Sequence, residues 1–139
     1  MLEGVAHRDM TRRQVFLSFV HEDLGKVNQF QIDARDENTR LAFDHYLGEP
    51  PHSNADAQTA REVIEEKIRS ACVLVCLVGK ETSRSPRIDW EIRTASDAGI
   101  PILAVRLNSR PADPLPPALT MVPARVIGWD VPTIVQLIG

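Results

Sequence analysis

A helix is predicted to open at Ser85-Pro86, a hydroxyl in the N-cap position followed by proline at the first helical position. Along it Ile88, Ile92 and Ala95 form an apolar stripe at i, i+4 and i+7, and at ~100° per residue Glu91 lies about 60° from Ile88. A carboxylate is thus held at the margin of the buried face, within the first two turns. It is either a working acid near the strand ends or a solvated helix glutamate favoured by the helix dipole. His21 and His45 fall near the same edge, and imidazole moves protons near neutral pH, although isolated histidines are more often inert than catalytic. Trp90 sits about 160° from Ile88 and so faces an adjoining loop or a partner subunit. The two cysteines, Cys72 and Cys76, lie four residues apart in one strand-like run, about 13 Å along it, which is roughly twice the reach of a disulfide. Both are expected to be reduced and buried, and no further ligands stand nearby to make a zinc site.

The elements that must position these groups alternate between strand and helix. Val15-Phe-Leu-Ser-Phe19 reads as a first strand running into the polar loop His21-Glu22-Asp23, followed by a helix over roughly 24–39 in which Leu24, Val27, Gln31 and Ile32 are loosely periodic. A second strand is expected over 41–46, then a Gly- and Pro-rich loop from Gly48 to Asn54. The helix from Thr59 to Ser70 places Ala60, Val63, Ile64, Ile68 and Ala71 on one face. It leads into 72–78, apolar at every position, as a central parallel strand covered on both faces requires. The Pro86 helix stops at Gly99, a common C-terminal signal. A fourth strand follows at 101–107, a connection with five prolines at 108–123, a fifth strand at 124–127 and a short helix at 132–138.

This alternation predicts an α/β, flavodoxin-like, doubly wound parallel sheet of about five strands in the order 2-1-3-4-5. Ligands in such folds bind beyond the carboxyl ends of the strands, where strands one and three diverge. That singles out residues 18–23, 44–46, 79–83 and the start of the Pro86 helix. One domain over 1–139 is expected, with its core at about 14–138 and a flexible stretch at 1–13. Lys and Arg total 16 against 19 Asp and Glu, a net charge of −3, so nucleic acid and anionic membranes are not expected partners. No run reaches the ~18 apolar residues of a membrane span, and the first ten residues are too polar for a signal peptide, so a cytoplasmic protein is expected.

Phe16-Leu-Ser-Phe19 followed by acidic residues resembles the first box of Toll/interleukin-receptor (TIR) domains, and Ser83-Arg-Ser-Pro-Arg-Ile-Asp-Trp-Glu-Ile92 resembles the segment that carries the glutamate of NAD-consuming TIR domains. Lys26-Val-Asn-Gln29, Leu77-Val-Gly-Lys-Glu-Thr-Ser83 and Asp89-Trp-Glu-Ile92 look more closely like the TIR-like branch of the Thoeris antiphage system, over residues 14 to about 108. The resemblance implies cleavage of the nicotinamide–ribose bond of NAD and formation of a cyclic or linear ADP-ribose-type signal, with NAD as substrate and no bound cofactor or metal. It makes Glu91 the catalytic candidate, facing an oxocarbenium-like centre as in glycosidases. Ser18 and Phe19 would contact the nucleotide, Phe19 by stacking, unless they are a turn hydroxyl and a core aromatic. Asp44, Thr82 and Ser83 are placed to meet ribose or phosphate, and His21 and Trp90 complete the substrate-binding candidates. Self-association and a downstream effector protein, reached through the nucleotide signal, are the implied partners. The proline-glycine loop of animal and plant TIR domains is missing after strand two. Two other readings stay open: a TIR-like module that recruits other chains without catalysis, and a phosphoaccepting receiver. The receiver requires an aspartate where this chain has Gly79.

Overall fold

The computed structural model describes residues 12–45, 54–108 and 113–139. A five-stranded, all-parallel sheet runs in the order β2-β1-β3-β4-β5, as expected, with β1 at Arg13–Ser18, β2 at Leu41–Asp44, β3 at Val73–Val78, β4 at Ile102–Arg106 and β5 at Arg125–Ile127. Helices α1 (Leu24–Glu37), α2 (Asn54–Arg69), α3 (Pro86–Asp97) and α4 (Val131–Ile138) join and cover the strands. Short 3-10 turns occupy His21–Asp23, Thr82–Arg84 and Pro117–Thr120. The expected loop after Gly48 and the expected flexible stretch at the N-terminus fall largely outside the described residues, although Arg13 already belongs to β1.

The period-two alternation of the strands divides the core in two. Val15, Leu17, Val75, Leu77, Leu103 and Val105 face α1 and α4, whereas Phe16, Leu74, Cys76, Val78, Ile102 and Ala104 face α2 and α3. On α1 the buried residues are Val27, Phe30 and Ala34, a stripe at i, i+3 and i+7. Ile32, which the loose periodicity had placed among the apolar positions, is 57% exposed. On α2, Ile64 and Ile68 carry the contact and Val63 stays exposed, because a helix this polar buries only a narrow stripe.

Helix α3 begins as its sequence predicts. Ser85 Oγ accepts the backbone N–H of Ile88 at 3.2 Å and Pro86 occupies the first turn. Gly99 follows its end with φ +75°, the left-handed conformation that glycine adopts without strain. The cysteines separate, contrary to the expectation that both are buried. Cys76 is buried in β3, but Cys72 lies one residue before the strand, half-buried, and donates its thiol to the carbonyl of Gln14 at 3.0 Å. At the far end of the chain Arg13 donates to the carbonyl of Ile138 at 2.7 Å, tying the start of β1 to the end of α4.

Candidate functional site

Strand alternation turns Ser18, the last residue of β1, toward the face covered by α2 and α3, where its register partner is Cys76. A hydroxyl with no exposed surface on an otherwise apolar face requires a partner. Glu91 supplies it: Ser18 Oγ donates to Glu91 Oε1 at 2.6 Å. One turn earlier on α3, Arg87 donates from Nη1 to Glu91 Oε2 at 2.7 Å and from Nη2 to the carbonyl of Phe19 at 2.8 Å. The guanidinium therefore spans from the helix to the end of β1, where the chain parts company with β3.

Glu91 is not marginal but fully buried, at 0% exposure, while the Arg87 side chain is 33% exposed. Burial pushes the Glu91 carboxyl above its usual range, and the Arg87 charge, with the hydrogen bonds from Ser18 and Arg87, pulls it part of the way back. Beneath it the Cys76 thiol is pushed up first by burial and then by the charge of Glu91. His45, just past β2, meets Phe19 edge to face with ring centroids 5.2 Å apart. Burial lowers its pKa, Lys67 and Arg87 act in the same sense, and Asp44 opposes them. Its Nδ1 is buried and has no hydrogen-bond partner among the described residues. Ser18, Phe19, His45, Arg87 and Glu91 thus share one corner at the carboxyl ends of β1 and β3.

The other candidates have different surroundings. Phe19 is buried, its ring against His45. Asp44 accepts from Lys67 Nζ at 2.7 Å and from the backbone N–H of His45 at 2.9 Å. Thr82 is buried, accepting from Gly79 N–H at 2.8 Å and donating to the carbonyl of Leu77 at 3.4 Å, so it fastens the loop after β3. Ser83 lies half-buried in the same turn, and His21 is exposed at the start of the turn after β1. Trp90 is half-buried against the cluster of α2 and α3. Gly79 presses on Asp23 so closely that any Cβ at that position would collide with the carboxylate. A receiver's phosphoacceptor aspartate is absent from that position.

Sequence reasoning missed Arg87. The signal was available: it stands four residues before Glu91 and so shares its helix face, two charges beside an apolar stripe. Among the described residues no cluster of His, Cys, Asp and Glu is arranged to hold a metal, and no helix is long and apolar enough to cross a membrane.

The family model for the Thoeris protein ThsB, TIR-like domain, matches residues 16–112. Among solved structures the chain is similar to the 2-deoxyribosyltransferase of Bacillus psychrosaccharolyticus, with TM-score 0.65 and 15% identity over 88% of this chain and 90% of that one. It is also similar to the CMP N-glycosidase BcmB of Clostridium botulinum, with TM-score 0.57 and 18% identity over 90% of this chain and 96% of that one. At these identities the likeness is one of fold. No curated protein matches the chain.

Proposed function

The chain belongs to the TIR-like domain family of the Thoeris protein ThsB, and from that membership we propose that it cleaves the bond between nicotinamide and ribose in NAD and passes the ADP-ribosyl group on as a signal in antiphage defence. The observation that carries this reading is the placement of Glu91, an acid held dry and hydrogen-bonded at the crevice between β1 and β3. Ligands of doubly wound sheets bind in that crevice. Two proteins of similar fold are named as an N-glycosidase and a deoxyribosyltransferase, so the scaffold is compatible with chemistry at the anomeric carbon of a nucleoside.

In the proposed step the bonding pair stays with the nicotinamide nitrogen, which becomes neutral, and positive charge develops on the ribose at C1′. A carboxylate beside that centre stabilises it more than it stabilises the ground state. The sugar is then captured by water, giving linear ADP-ribose, or by a nucleophile of the same molecule, giving a cyclic product; either loses one proton. Arg87 must yield Glu91 Oε2 before the acid can face substrate, since both of its oxygens are engaged in the structure. Substrate binding or contact with a second copy would supply that release. The product would act on an effector protein.

The burial of Glu91 favours one competitor, a recruitment module in which the Ser18–Glu91–Arg87 group is structural. Nicotinamide release by Glu91→Gln, compared with Glu81→Gln and Glu22→Gln, separates the two. Loss of one preorganised electrostatic contact costs about 3–4 kcal/mol, or roughly 10²–10³ in rate, so Glu91→Gln should fall by that factor while the two loop variants match the parent. Retention of more than about a tenth of the parent rate, at matched folding, leaves the recruitment reading standing.

A further inference from the structure

The face of the sheet away from Glu91 has an opening of its own. Lys26 and Gln29 on α1, Arg106 and Asn108 at the end of β4, and Gly128 and Trp129 after β5 line a cavity of about 630 Å³. That lies inside the range of ~300–1,000 Å³ that encloses small ligands. Three features of the lining bear on what it would hold.

Trp129 is 40% exposed, yet its indole is fixed by the buried Phe30, with centroids 5.6 Å apart and planes at 65°. A ring held by the core and partly open to the cavity is a platform for another planar ring. Lys26 and Arg106 bring two positive charges whose hydrogen-bond partners are neutral. Lys26 Nζ donates to Asn108 Oδ1 at 2.6 Å, and Arg106 Nη1 donates to the carbonyl of Asp113 at 2.8 Å. Among the described residues neither cation is in an ion pair. The carboxylate of Asp113 is taken by Asn108 Nδ2 at 2.8 Å, and Asp23 acts on Lys26 only through space. Gln29 and Asn108 add side-chain amides, groups that pair with the edges of heterocycles.

We infer that this cavity is a nucleotide-binding site, taking an aromatic base against Trp129 and a phosphate toward Lys26 and Arg106. An apolar aromatic would leave two cations unpaired, and a bare anion would leave the indole uncovered. The lining shares no residue with the Ser18–Glu91–Arg87 group, and the site does not rest on the role proposed for Glu91.

AMP is the probe, followed by titration calorimetry. The parent and Glu91→Gln should bind AMP alike, with adenosine and inorganic phosphate each at least about tenfold weaker, since each offers one half of the recognition. Lys26→Ala, at an exposed position, should keep the melting temperature and weaken AMP about tenfold. Trp129→Leu should weaken it by at least as much, and Trp129→Phe should restore most of the loss. The assignment is overturned by an absence of AMP binding to the parent at millimolar concentration. It is overturned equally by phosphate binding as well as AMP, which leaves a simple anion site, or by binding that Glu91→Gln abolishes and Lys26→Ala spares.

Discussion

At Glu91 burial favours the neutral acid, while the Arg87 guanidinium and the Ser18 hydroxyl favour the anion; burial prevails and the carboxyl titrates above its usual range. That balance makes Arg87→Met a pH-dependent lesion. Removing one member of a buried pair costs roughly 3–5 kcal/mol; solvent reaches Arg87, so a cost of about 2 kcal/mol at neutral pH is the better expectation. In acid Glu91 is protonated in both proteins, the pair is absent from both, and the deficit should close. Melting temperatures of the two proteins from about pH 5 to about pH 8 should therefore diverge as pH rises. A gap of constant size would show that Arg87 contributes packing alone. The parent compared with Glu91→Gln gives the complementary sign. A folded-state pKa above the unfolded value of about 4.3 means that the folded protein binds more protons between the two values, so the parent loses stability relative to the variant as pH rises through that window. His45, with its pKa lowered, works in the opposite direction and destabilises the fold as pH falls below about 6.5, equally in both proteins.

Elements were easier to read than the contacts between them. The apolar run of β3, the Ser85-Pro86 start of α3 and the Gly99 stop were legible because each is fixed by local chemistry: burial on both faces, a cap, a left-handed residue. The neighbourhood of Glu91 was legible in part. Its sequence position gave the face and Arg87 stands at i−4 on the same helix, but its depth depends on Ser18 arriving from β1, 73 residues earlier, a tertiary fact that no local pattern encodes. Phe30 and Ala34 were overlooked on α1 for a similar reason, since that helix is weakly amphipathic and the sheet selects its buried side. The cysteines give this scale its test. Cys72 stands outside β3 and is half-buried, whereas Cys76 is sealed beneath Glu91 with its thiol held protonated by burial. A thiol reagent should modify one cysteine per folded chain, identified as Cys72 by peptide mapping, and the second only in denaturant. Prompt modification of Cys76 in the native protein would contradict a central, closed β3.

Among the described residues the sheet has β2 and β5 at its edges, and the crevice between β1 and β3 holds an acid closed by its own arginine. If release of Arg87 depends on contact between copies, specific activity should rise faster than in proportion to protein concentration, and crowding agents should raise it further. Strict proportionality over roughly a hundredfold range, where a shift of about 2.7 kcal/mol in assembly free energy would register, points to a self-sufficient monomer. The division of the core has another consequence, in the order of synthesis. The face bearing Glu91 draws its buried residues from no later than Leu119, whereas the opposite face is finished only by Ile134 and Ile138 of α4. Phe30 leaves the ribosome about 100 residues before them, so at about 5–20 residues per second its side of the nascent chain waits roughly 5–20 s for its cover. The half that holds the acid can be assembled while the half that holds Trp129 is still open.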